Sequence, residues 1–89
     1  MLNIVLTGSK IADPDRANDR EGWWYDGNVV HVRTDISQRR YKLPKGASVV
    51  TIQRLGDGRS TLIMGGYSKA SVSITGPTED IRTMREHVL

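Results

Sequence analysis

Cysteine is absent from the 89 residues, so neither a disulfide nor a thiolate metal site can reinforce the fold, and stability must come from packing or association. Phenylalanine is absent too, which leaves Trp23, Trp24 and three tyrosines as the whole aromatic supply. Long apolar runs are also missing. The N-terminal stretch Leu2 to Thr7 is brief and has no basic leader, which excludes an ordinary signal peptide or a membrane-spanning helix. A cytoplasmic protein with no membrane partner is therefore expected.

The chemistry of catalysis is just as sparse. A metal site needs several convergent His, Cys or carboxylate ligands, whereas His31 and His87 are far apart with no paired spacing. Serines are plentiful, but none lies in an elbow motif and no His-carboxylate pair accompanies one. Gly56-Asp57-Gly58-Arg59-Ser60-Thr61 lacks the Gly-Lys-Ser/Thr ending of a phosphate loop and precedes a strand pattern. Ile4-Val5-Leu6-Thr7-Gly8-Ser9 opens like a dinucleotide-binding strand, yet Gly8 has no partner glycines at the required spacing. No catalytic residue, metal or cofactor is expected, and a non-enzymatic module is the reading.

What is present lies most plainly in residues 47–89. Asp57-Gly58 between two apolar runs signals a tight hairpin turn, because such turns need left-handed backbone that glycine supplies. If those two residues form the loop, Arg54 faces Thr61, Ile52 faces Ile63, and Val50, Ile52 and Ile63 share the core face. The other face would then carry Leu55, Leu62 and Met64 with polar neighbours, half covered by the N-terminal half or by a second copy of the chain. A third strand follows Gly65-Gly66, with Ala70, Val72 and Ile74 alternating against Ser71, Ser73 and Thr75, after a Gly66 to Lys69 connection. Gly76-Pro77-Thr78-Glu79 marks a helix start with Pro77 at its first position, and Ile81, Met84 and Val88 form its apolar stripe.

Residues 1–46 read as additions to that sheet within a single 1–89 domain. Leu2, Ile4 and Leu6 share one face of a first strand, and Ser9 to Gly22 is a loop or at most a short turn at Asp13 or Pro14. Trp23-Trp24-Tyr25 and Val29 to Thr34 flank Asp26-Gly27-Asn28, a second hairpin in which the two tryptophans point to opposite faces. Asp35 to Arg40 is a turn or loop, and Tyr41 to Gly46 is a strand end entering a turn at Pro44.

The net charge of +3 is unevenly spread. Five acidic residues fall between Asp13 and Asp26, whereas Arg33, Arg39, Arg40, Lys42 and Lys45 stand against Asp35 alone. Such a basic patch attracts phosphate, and a solvated face neutralised by the acidic loop is the plainer reading.

Ser71-Val72-Ser73-Ile74-Thr75-Gly76-Pro77-Thr78-Glu79-Asp80-Ile81 resembles the last strand and final helix of a K-homology RNA-binding domain. That resemblance implies RNA binding. The family's GXXG loop between two helices has no counterpart here, since Gly-Asp-Gly-Arg sits in a strand pattern.

The expected fold is α+β: a small, twisted antiparallel sheet of about five or six strands, or a partly open barrel, with one C-terminal helix packed on it. The expected partner is nucleic acid, held by Arg33, Arg39, Arg40, Lys42 and Lys45 with Trp24 or Tyr41 stacking on bases. The rival is a protein partner captured at a sheet edge or at a patch around Trp23 or Trp24, with homodimerisation through Leu55, Leu62 and Met64 as a third possibility.

Overall fold

Alternating apolar and polar residues through the second half of the chain build a meander of β6 (Val49–Arg54), β7 (Arg59–Gly66) and β8 (Lys69–Pro77), followed directly by α1 (Thr78–Val88). The computed structural model describes residues 2–16, 20–43, 49–66 and 69–88. The Pro44 turn and the middle of the Gly66 to Lys69 connection lie outside them. The other strands are β1 (Leu2–Val5), β2 (Ser9–Lys10), β3 (Gly22–Asp26), β4 (Val29–Arg33) and β5 (Gln38–Lys42).

The architecture is α+β, but the single antiparallel sheet is replaced by two mixed four-stranded sheets. The meander sheet has the order β1-β8-β7-β6, and the second sheet, here the Trp sheet, has the order β2-β3-β4-β5. β1 pairs parallel to β8, Leu2 beside Val72 through Val5 beside Thr75, and β2 pairs parallel to β3. A parallel pair needs a long crossover, and β1 and β8 are separated by most of the chain. After β1 the chain leaves the meander sheet, and the short β2 carries it to the edge of the other.

Gly22 permits the β2–β3 pairing. Its φ is +153°, and a Cβ there would collide with the Ser9 carbonyl and come 2.9 Å from Ile11 Cγ1. Any side chain would push the two strands apart.

The Asp-Gly hairpin forms with a different register from the one expected. Leu55 N–H donates to the Arg59 carbonyl (3.0 Å), leaving Gly56-Asp57-Gly58 as a three-residue loop. Gly56 and Gly58 both take left-handed φ, +94° and +80°, so the turn spends two glycines rather than one Asp-Gly pair. Arg54 therefore faces Ser60, Ile52 faces Leu62, and Val50 faces Met64. On β7 the one-residue shift turns Leu62 and Met64 inward and Ile63 outward. Leu62 and Met64 have no exposure at all, so of the three residues expected to drive homodimerisation Leu55 alone is exposed. On the outward face of this sheet the Thr61 and Thr75 hydroxyls meet at 2.9 Å, and Ser73 Oγ donates to Asn3 Oδ1.

The helix is tied to the same loop. Thr78 donates its amide N–H and its hydroxyl to the Gly58 carbonyl (3.0 and 3.1 Å), and its Oγ1 lies 2.8 Å from the buried Ser60 Oγ. β8 runs through Pro77, which pairs with Arg59, so the helix begins at Thr78 and not at Pro77. Ile81, Met84 and Val88 are buried as their spacing predicts, and Glu79 and Asp80 occupy the first turn, favourable to the dipole.

One cluster joins all the layers: Ile4, Leu62, Met64 and Ile74 from the meander sheet, Ile81, Met84 and Val88 from α1, and Trp23, Val30 and Leu43 from the other half. Trp23 is 1% exposed and supplies the volume that a core without phenylalanine needs. Its burial on one face leaves Trp24 on the opposite one. Lys10 Nζ fastens β2 to α1 through Asp80 Oδ1 (3.2 Å) and sits 4.8 Å above the Tyr25 ring. The hydrogen bond to Asp80 raises the Lys10 pKa above its ordinary value, with desolvation opposing it.

Candidate functional site

The outward face of the Trp sheet is set by the Asp26-Gly27-Asn28 turn, which puts Asp26 beside Val29, Tyr25 beside Val30 and Trp24 beside His31. β5 extends the rows. Arg40 lies beside His31, Gln38 beside Arg33, and Lys42 beside Val29. Because side chains alternate, Trp24, His31, Arg33, Gln38, Arg40 and Lys42 share this face, while Trp23, Tyr25, Val30, Val32 and Tyr41 turn inward.

Trp24 is the centre of the arrangement. The His31 ring stacks on it with centroids 4.8 Å apart and planes 5° from parallel. The Arg33 guanidinium carbon lies 4.7 Å from the indole centroid, and Arg33 Nε donates to Gln38 Oε1 at 3.3 Å. A cation over an indole contributes about 0.5–1 kcal/mol at an exposed site, and a stacked ring pair about 0.5–1.5 kcal/mol. These contacts fix the indole against its β4 neighbours.

Burial lowers the His31 pKa from its ordinary 6.5, the nearby Arg40 charge lowers it further, and Asp26 opposes both. Among the described residues its buried Nδ1 has no hydrogen-bond partner. Burial and the Arg40 charge both favour the neutral imidazole in the stack on Trp24.

A groove of about 830 Å³ runs along this face, with Trp24, Arg33 and Arg40 on one side and the Ile11 to Asp15 segment on the other. Asp13 holds the turn of that segment by accepting from the Arg16 amide (3.4 Å) and pairing with its side chain (3.5 Å). Asp15 and Asp26 line the same groove, so the acidic loop borders the basic residues. A long anion can lay negative charge along the Arg40 side, beside the stacked pair of Trp24 and His31.

The residues marked from sequence separate into distinct positions. Trp24, Arg33, Arg40 and Lys42 come together on the outward face. Trp23 is in the core, stacked against Tyr25 with centroids 6.3 Å apart. Tyr41 is half-buried against the same core, so its ring does not share the Trp24 face. Arg39 is exposed, in the row of Trp23 and Val32 on the opposite side of β5, and Lys45 lies outside the described residues. His31 and Gln38 were missed. Counting outward from Gly27-Asn28 places His31 opposite Trp24 without any coordinates, so its signal was in the sequence; Gln38 depends on β5, which carries no turn signature.

Among the described residues no group of three or more His, Asp or Glu side chains converges as a metal site, and no helix is long and apolar enough to cross a membrane. No family model, curated protein or solved structure matches this chain. The likeness of residues 71–81 to a K-homology domain is confined to the joint between β8 and α1.

Proposed function

We propose that this chain is a non-enzymatic module that binds single-stranded nucleic acid on the outward face of the Trp sheet. The observation that carries the reading is one shared surface: Trp24, Arg33, Arg40 and Lys42 stand on neighbouring strands in fixed cross-strand register. Single strands need a cationic track for phosphates and an aromatic surface for bases, and this face provides both side by side. A duplex hides its base faces, so the stacked pair of Trp24 and His31 favours an unpaired strand, whose bases are free to extend the stack. The exposed Arg39 on the opposite side of β5 extends the positive field around that strand.

If Arg33, Arg40 and Lys42 each neutralise one phosphate, the affinity for a single strand falls with a log–log salt slope of about −2. Between 50 and 200 mM salt that slope amounts to a loss of roughly twentyfold. Fluorescence anisotropy of a labelled oligothymidine across that range tests it, with Arg40→Ala expected to make the slope shallower by about 0.7. Affinity independent of salt, or an Arg40→Ala variant with unaltered slope, rejects the reading.

A further inference from the structure

A second arginine cluster lies on the other flank of α1. The helix stripe of Ile81, Met84 and Val88 is buried, and Asp80 and His87 flank it on the side facing Lys10 and Tyr25. Thr78, Arg82 and Arg85 project from the opposite flank, by the 100° step of the helix. They face Ile52 and Arg54 of β6 across a groove of about 500 Å³ that Glu86 also lines. Arg54 and Arg82 continue into a neighbouring hollow with Arg59 at the hairpin loop. Among the described residues none of Arg54, Arg82 and Arg85 is in an ion pair, whereas Arg59 meets Asp57 at 3.9 Å.

β6 is also an edge. Among the described residues it pairs on one side only, with β7. Backbone groups alternate in direction along an antiparallel strand, and Leu55 N–H points to β7 by its bond to Arg59. The amides and carbonyls of Arg54, Ile52 and Val50 therefore point away from the sheet. Ile52 and Arg54 thus present outward backbone groups and also place their side chains on the helix side, in the groove. Four features meet along one line: an open edge, a half-buried isoleucine, and arginines from both β6 and α1.

From this convergence we propose that the α1–β6 groove captures an extended acidic peptide, which adds as a strand to β6 and sets its carboxylates against Arg54, Arg82 and Arg85. Free edge amides and carbonyls are matched by another polypeptide backbone, and alternate side chains of an added strand fall on the Ile52 side of the sheet. A phosphodiester strand would use the arginines but leave the edge groups unmatched. The site is separate from the Trp24 face, so the protein would hold two partners of different chemistry on two surfaces.

The test uses the whole protein, ¹⁵N-labelled, and a synthetic end-capped peptide of alternating Glu and Val. Expected are shifts and slowed amide exchange at Val50, Ile52 and Arg54, and affinity at least about tenfold weaker in the double variant Arg82→Glu/Arg85→Glu, whose side chains are exposed. Arg40→Glu should leave peptide affinity unchanged while weakening oligothymidine binding, which separates failure of this site from failure of the Trp24 face. Equal binding of an alternating Lys and Val peptide, no change at the three β6 amides, or oligothymidine producing the same β6 shifts would each overturn the proposal.

Discussion

Truncating Leu62 and Ile63 in separate variants tests the hairpin register, on which the inward and outward faces of the meander sheet depend. Leu62 has no exposure and lies between Ile52 and Ile74, whereas Ile63 is half-buried on the outward face between Thr51 and Ser73. Leu62→Ala removes fully buried methyl groups and leaves a cavity, a loss of about 2–5 kcal/mol. Ile63→Ala removes partly hydrated surface from a polar neighbourhood and should cost about 1 kcal/mol. A chain of this length has about 4–13 kcal/mol of stability in total, so the first variant loses a large share of it and the second little. Urea unfolding followed by far-UV circular dichroism measures both, and at about 4–8 °C per kcal/mol thermal melts should separate them by at least about 5 °C. A two-residue loop would reverse the order. Ile63→Ala costing as much as Leu62→Ala refutes the three-residue loop.

The remaining predictions concern the second sheet and its face. Gly22→Ala should destabilise by about 2–3 kcal/mol or more, because its Cβ meets the Ser9 backbone, and an unaltered urea midpoint would show that β2 does not pair there. His31 contributes in a definite direction with pH: its folded pKa lies below the unfolded value near 6.5, so the unfolded chain binds more protons between the two. That stabilisation is present above 6.5 and is lost as pH falls toward the depressed folded value, and His31→Gln should flatten this part of a stability–pH curve. A bound polyanion favours the charged imidazole, so oligothymidine affinity should rise on acidification from pH 7.5 to 5.5 in the parent and less in His31→Gln, as read by anisotropy. Asp80→Asn, which removes the partly exposed ion pair to Lys10, should cost no more than about 1 kcal/mol in urea unfolding.

Local signals in the sequence carried the elements but not their assembly. The strand alternation of Val72 and Ile74, the helix stripe of Ile81, Met84 and Val88, and both glycine turns are properties of neighbouring residues, and all four stand in the structure. The β6–β7 register failed because Gly56-Asp57-Gly58 satisfies either a two-residue or a three-residue loop, and the left-handed φ of Gly56 with the Leu55–Arg59 bond decides between them. Parallel pairing of β1 with β8 has no local signature at all, since it joins opposite ends of the chain. The basic patch was legible as charge, but which of its members share a face depends on β5, a strand of polar residues whose pairing with β4 no hydrophobic pattern announces. The arginines of the α1–β6 groove escaped notice for a related reason: Arg54 and the pair Arg82 and Arg85 are distant in sequence and meet only after the helix folds back.

Titrating oligothymidine into ¹⁵N-labelled protein and mapping the shifts asks whether the outward Trp24 face holds single-stranded nucleic acid. The Trp24 indole N–H and the side-chain and backbone signals of His31, Arg33 and Arg40 should move, with the buried Trp23 indole and the Thr61–Thr75 seam of the meander sheet unmoved. Saturable shifts centred on the Thr61–Thr75 seam, or no shift at low salt at any concentration reached, would contradict binding on the Trp24 face.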